Sequence, residues 1–133
     1  SGIAQQMANY VYAIGEGQTG EVLLVDPCYA VGELVDKCEL DGLRVQGALA
    51  THYHQDHVGG DLFGHSLQGV RELLTRCPCK VHVQHDEVPW VKRVTGCGDG
   101  DLAPHRGGDV LHVGRIPITL LHTPGHTPGS QCF

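Results

Sequence analysis

Between Leu49 and Asp61 the chain reads LATHYHQDHVGGD, and four of the six residues from His52 to His57 are metal-ligand types: His52, His54, Asp56 and His57. That density constrains the fold more than any other feature. In extended or loop geometry, side chains two residues apart project to the same side, so His52 and His54 can chelate one ion together. Asp56 and His57 fall on the following turn and can face a second ion. Gly59 and Gly60 let the backbone swing into a helix without side chains crowding the site. The stretch follows the apolar run VQGALA at 45–50, and the end of a strand is where α/β proteins place their chemistry. A histidine-rich surface loop that binds nothing is the competing reading, and four ligand types in six residues after a buried strand weigh against it.

The rest of the chain supplies the strands and helices that such a site needs. Residues 8–15 read as a strand, 15–20 as a turn, and 21–25 (EVLLV) as a buried strand closed by Asp26-Pro27. Val31, Leu34, Val35 and Cys38 fall on one face of a helix that ends at Asp41-Gly42. After the glycine pair, 66–76 reads as a helix with Leu67, Val70, Leu73 and Leu74 on one side. Residues 79–84 alternate like a strand. Asp86 is the expected N-cap of a short helix through Val94, with Pro89 tolerated in its first turn. Residues 95–108 read as a Gly/Asp-rich loop with no ligand signature, and 109–113 and 116–121 as a hairpin turning at Gly114-Arg115. The order implies one α/β domain over 1–133, a mixed sheet with flanking helices.

His126 lies in a second motif, HTPGHTPGS, whose two Pro-Gly steps hold its side chain on a rigid turn. Thr123 and Thr127 offer hydroxyls to orient imidazoles or carboxylates. Asp26 is a further candidate for orienting a ligand, against a plain strand-end turn. His65 lies close enough to the glycine pair to line a pocket; His82, His85, His105, His112 and His122 are read as structural or solvent-facing.

THYHQDHVGG resembles the HxHxDH signature of the metallo-β-lactamase superfamily, and TPGHTPGS resembles its third motif. LLVDP is similar to its early strand ending in Asp. The wording is nearest the hydroxyacylglutathione hydrolase (glyoxalase II-like) branch. The resemblance implies the N-terminal part of an αββα sandwich. It implies His52, His54 and His126 on one metal and Asp56 and His57 on a second, with two zinc ions as cofactors and iron or manganese as alternatives. The family pattern continues with a bridging aspartate and a last histidine. Asp99, Asp101 and Asp109 precede His126 and cannot fill that place, so the C-terminal part of the domain is expected to be absent.

Two ions hold a hydroxide between them and suit hydrolysis of a thioester or related ester, with Asp56 as the catalytic group in proton transfer. Two other readings stand beside it. One is a persulfide dioxygenase using a single iron on the three histidines, with Asp56 outside the ligand set. The other is an incomplete module, inactive until its C-terminal half arrives. The partner expected is a small-molecule substrate, with self-association or the missing half as the polypeptide partner. A net charge of −6 without basic clusters argues against nucleic acid, and no apolar run reaches membrane-spanning length. The six irregularly spaced cysteines, with no CxxC, point to free thiols and a cytoplasmic protein.

Overall fold

The computed structural model describes residues 9–133. In chain order its elements are strands β1 (Tyr12–Gly15) and β2 (Glu21–Val25), helix α1 (Val31–Leu40), strand β3 (Arg44–Leu49) and the one-turn helix α2 (Gln55–Val58). Next come the hairpin β4 (Gly60–Leu62) and β5 (His65–Leu67), helix α3 (Val70–Arg76), strand β6 (Lys80–Gln84) and helix α4 (Val88–Thr95). Strand β7 (Leu102–His105), the hairpin β8 (Val110–Val113) and β9 (Ile116–Thr119), and the pair β10 (Leu121–His122) and β11 (Gln131–Cys132) complete it.

Five strands form one mixed sheet in the order β1-β2-β3-β6-β7. Strand β1 runs antiparallel to β2, and β2, β3, β6 and β7 are mutually parallel. Alternation along β2 divides the core between the two faces of this sheet. Val22 and Leu24 point toward the helices, where they pack with Val31, Val35, Val70, Leu73 and Val91. Leu23 and Val25 point the other way and meet Leu49, Val113, Ile118 and Leu120 beneath the β8–β9 hairpin. Full burial of each such Leu or Val contributes about 1.5–3 kcal/mol relative to exposure. The hairpin's inner side is thus occupied, whereas Val110 and Ile116 on it, and Leu121 just beyond, remain exposed.

The α/β order expected from the sequence is present, with differences that have local causes. Helix α1 buries Val31, Val35 and Cys38, as its spacing requires. The first strand covers 12–15; residue 8, its expected start, lies outside the described residues. The helix expected over 66–76 starts only at Val70, because Gly69 packs against the Val58 backbone and Leu67 pairs with Gly60 in a hairpin. Asp86 is not an N-cap: it lies inside a 3-10 turn, His85–Glu87, whose first residue is preceded by Gln84, and the Gln84 side chain accepts from the Asp86 N–H at 2.6 Å. The expected loop 95–108 holds β7. Its Pro104 hides the strand in the sequence, and the edge position makes the missing N–H tolerable. Among the described residues, no helix is long and apolar enough to cross a membrane.

All six cysteines are unpaired, as expected. Burial pushes the Cys28 thiol up to about 12 and the Cys79 thiol up to about 11, while Cys132 is exposed. In the native protein, a thiol reagent at neutral pH should therefore modify Cys132 rapidly and the other five cysteines only after denaturation. Fast modification of several thiols in the folded protein, or a total well short of six on denaturation without reductant, would contradict this packing.

Candidate metal centre

The parallel strands all end at one edge of the sheet, and the candidate residues gather there. Asp26 follows β2, and Thr51, His52 and His54 follow β3. Asp56 and His57 lie on α2, whose chain leaves through Gly59 (φ +90°) and Gly60 (φ +117°). The glycine pair therefore ends a helix instead of opening one. A Cβ on Gly60 would stand 2.5 Å from the Val94 carbonyl oxygen, so the close approach to α4 requires glycine. His126 arrives on the turn between β10 and β11. That turn is tied to the first motif by Gln131, whose backbone N–H donates to the Thr51 carbonyl at 3.0 Å and whose side-chain amide donates to the Ala50 carbonyl at 2.9 Å.

His52, His54 and His126 come together, with one ligand atom from each lying within 4.8 Å of the others. His54 Nδ1 and His126 Nε2 stand 3.1 Å apart. Two nitrogens on one tetrahedral zinc stand about 3.3 Å apart, given Zn–N bonds of about 2.0–2.1 Å. Asp56 and His57 are not in this triad. The His57 ring lies 4.1 Å from the His52 ring, centroid to centroid, and its Nε2 is 3.5 Å from Asp56 Oδ2. They form a flanking pair beside the triad.

The buried Asp26 carboxylate organises the imidazoles. Its Oδ1 accepts from the Thr51 N–H at 2.7 Å, and its Oδ2 accepts from Thr51 Oγ1 at 2.6 Å and from His57 Nδ1 at 2.8 Å. Because the Thr51 hydroxyl spends its proton on Asp26, it accepts from His52 Nδ1, 2.9 Å away. Both His52 and His57 thereby carry a proton on Nδ1, which turns the Nε2 of His57 toward Asp56 and leaves the Nε2 of His52 bare. His52 is buried, and its Nε2 has no hydrogen-bond partner. A buried lone pair with no donor is costly, and a cation satisfies it; the residues present fit a metal ion. Asp26 itself sits at φ +49°, a left-handed backbone that is uncommon outside glycine.

Two contributors were not legible in the sequence. Thr51 bridges the Asp26 carboxylate to His52 through its hydroxyl. Asn9 donates to Asp56 Oδ2 at 2.6 Å and to the Asp56 carbonyl at 3.1 Å, across 47 residues, with no local signal. Among the other candidates, His65 is exposed on β5 and is not one of the three clustered histidines. His82 is satisfied by His105 at 2.8 Å, and exposed His122 contacts the Pro128 carbonyl. Thr123 bonds the Cys132 sulfur instead of an imidazole.

The sequence model of the metallo-beta-lactamase superfamily matches residues 5–133. The chain belongs to the metallo-beta-lactamase superfamily. It is 37% identical over 119 residues to a hydroxyacylglutathione hydrolase of Bradyrhizobium sp. (strain ORS 278), covering 90% of this chain and 40% of that relative. It is 32% identical over 125 residues to a hydroxyacylglutathione hydrolase of Dechloromonas aromatica (strain RCB), covering 94% and 39%. The chain thus spans about 40% of the length of these curated relatives. Among solved structures, it superposes on a metallo-beta-lactamase from Staphylococcus aureus with a TM-score of 0.66 at 26% identity, covering 91% of this chain and 33% of that one. It superposes on ETHE1 from Myxococcus xanthus with a TM-score of 0.71 at 25% identity, covering 96% and 48%. Its sheet with helices on one face agrees with this superfamily fold.

The electrostatics of the centre, together with the half-buried His82 outside it, set the pH dependence of the metal-free protein. Burial, then the neighbouring His57, pushes His52 down to about 4. Burial, then His126, lowers His54. Burial, then His105, pushes His82 down to about 4. Burial would also lower His57, but the hydrogen bond and charge of Asp26, joined by Asp56, outweigh it and raise the group. A depressed histidine binds its proton more readily in the unfolded chain, so its stabilisation is present above ~6.5 and is lost as pH falls through the folded value. His57 works in the opposite sense, stabilising below ~6.5. Three depressed groups outnumber one raised group. With chelator present, the melting temperature should fall as pH drops from about 6.5 toward about 4. A melting temperature that holds steady or rises over that window would contradict this account.

Proposed function

We propose that this chain carries the metal centre of a hydrolase acting on a thioester or related ester, of the hydroxyacylglutathione hydrolase kind. The bare, buried Nε2 of His52, a member of the three-histidine cluster with His54 and His126, is the observation that carries this reading. Family membership and the relatives' names support the reaction class. His52, His54 and His126 would hold one ion, and Asp56 and His57 would hold a second. Zinc suits imidazole and carboxylate ligands, although iron and manganese use similar sets. A bound ion polarises a carbonyl oxygen and lowers the pKa of water toward ~7.

The chain's own residues supply orientation and proton handling. Asp26 fixes the Nδ1–H tautomers of His52, through Thr51, and of His57 directly. Asn9 fixes the Asp56 carboxylate through Oδ2. So held, Asp56 accepts the proton of the attacking water and returns it to the leaving thiolate or alkoxide. A small-molecule substrate suits a site open at the sheet edge. Six unpaired thiols suit a reducing compartment such as the cytoplasm.

One observation favours a second reading, the single-iron dioxygenase. Asp56 lies outside the three-histidine group and is already engaged by Asn9. Metal content and oxygen consumption separate the two.

The test is elemental analysis of the purified protein with a thioester assay. The proposal expects one to two zinc-type ions per chain, and His52→Ala is expected to lose bound metal. Thioester hydrolysis should require the metal, and Asp56→Asn should lower turnover by about 10²–10⁴-fold while retaining an ion on the three histidines. Unchanged metal after His52→Ala would sink the ligand assignment. One iron per chain with oxygen uptake would replace the hydrolase by the second reading.

A further inference from the structure

A buried carboxylate outside the ligand set joins the two histidine motifs. Glu87, at the end of the 3-10 turn after β6, is 1% exposed. Among the described residues, no Lys, Arg or His lies within ion-pair distance of it. A buried anion without a cation must be satisfied by donors. Three converge on it, and they come from the two metal-motif loops. Oε1 accepts from the Tyr53 N–H at 3.0 Å and from Thr127 Oγ1 at 2.5 Å, and Oε2 accepts from the Gly129 N–H at 2.9 Å.

The positions of these donors matter more than their number. Tyr53 is the residue between His52 and His54, and Thr127 directly follows His126. A single oxygen, Oε1, is therefore shared by the two loops whose imidazoles face each other at 3.1 Å. The second loop is built for this approach. A Cβ at Gly129 would stand 2.7 Å from the Glu87 N and 2.8 Å from Glu87 Oε2. The Thr127 N–H donates to Ser130 Oγ at 3.1 Å, and the two hydroxyls lie 2.8 Å apart, which leaves the Thr127 proton for the carboxylate. Besides this bridge, the two loops are joined by the Gln131 contacts upstream of His52 and by the His54–His126 approach itself.

We infer that Glu87 is a positioning residue: it clamps the loop of His52 and His54 to the loop of His126 and so sets the spacing of the three imidazoles. This rests on the metal-centre reading above. The carboxylate is required because all three partners are donors. An amide can serve Tyr53 and Thr127 with its oxygen but turns an N–H₂ group toward the Gly129 N–H.

The test is competition of the 133-residue chain with a chromophoric chelator for zinc, alongside apo melting curves. Glu87→Ala should weaken zinc affinity by about 10- to 100-fold, as loss of a group that orients ligands does. Glu87→Gln should recover part of that loss, and Thr127→Val should show an intermediate loss. Val35→Ala, a cavity in α1 away from both loops, is the stability control. It should lower the apo melting temperature and leave zinc affinity unchanged. If Glu87→Ala does not fold, the Gln and Thr127→Val variants decide. Folded variants that bind zinc as tightly as wild type would overturn the clamp alone. Equal loss of zinc affinity in Val35→Ala would overturn it too, by showing that general destabilisation suffices. Wild-type chain that binds no zinc would overturn the metal-centre reading and the clamp with it.

Discussion

The centre depends on one buried carboxylate, Asp26, and on the direction in which protons point around it. An ionised carboxylate only accepts, so Thr51 and His57 must both donate to it. That choice propagates through the Thr51 hydroxyl to His52 and leaves its buried Nε2 lone pair bare. Replacing the carboxylate by an amide would reintroduce a donor there and scramble both tautomers. The same bonds place Asp26 at a left-handed backbone conformation, held by the Thr51 N–H and by its own N–H on the Leu49 carbonyl. Order at the sheet edge and readiness to take a cation are thus two consequences of the same hydrogen bonds.

The architecture explains why these groups meet at all. Parallel strands deliver their C-terminal ends to one edge, so Asp26, the His52–His54 loop and Glu87 arrive together although they follow three different strands. Helices cover one face of the sheet and the β8–β9 hairpin covers part of the other. Both layers are well-packed hydrophobic clusters. Loops at the edge can therefore be fixed by a few polar contacts, without a core of their own.

The ligand residues were legible because their chemistry is local. Four ligand types in six residues cannot be spread over a fold, and the Pro-Gly steps around His126 announce a rigid turn within nine residues. The groups that aim those ligands were mostly hidden, because each acts across a long stretch of chain. Asn9 reaches Asp56 over 47 residues and Glu87 reaches Thr127 over 40, and neither has a pattern around it that marks the contact. Asp86, the more conspicuous neighbour, fits a capping pattern, yet it lies in the 3-10 turn that Gln84 caps, and the N-cap position of α4 is Glu87, with no side-chain cap bond. Apolar spacing identified α1 correctly, since Val31, Val35 and Cys38 do face the core. The same reasoning failed at Leu67, where tertiary pairing with Gly60 overrode a helical pattern, and at β7, where Pro104 concealed an edge strand.

X-ray absorption spectroscopy at the zinc edge of the loaded protein tests the central claim most directly. It reads the ligand atoms around the ion without depending on turnover. The account predicts a first shell of nitrogen and oxygen at about 2.0–2.1 Å with the outer-shell scattering of three imidazoles for the ion on His52, His54 and His126. A first shell dominated by sulfur at about 2.3 Å, or one without imidazole scattering, would contradict it.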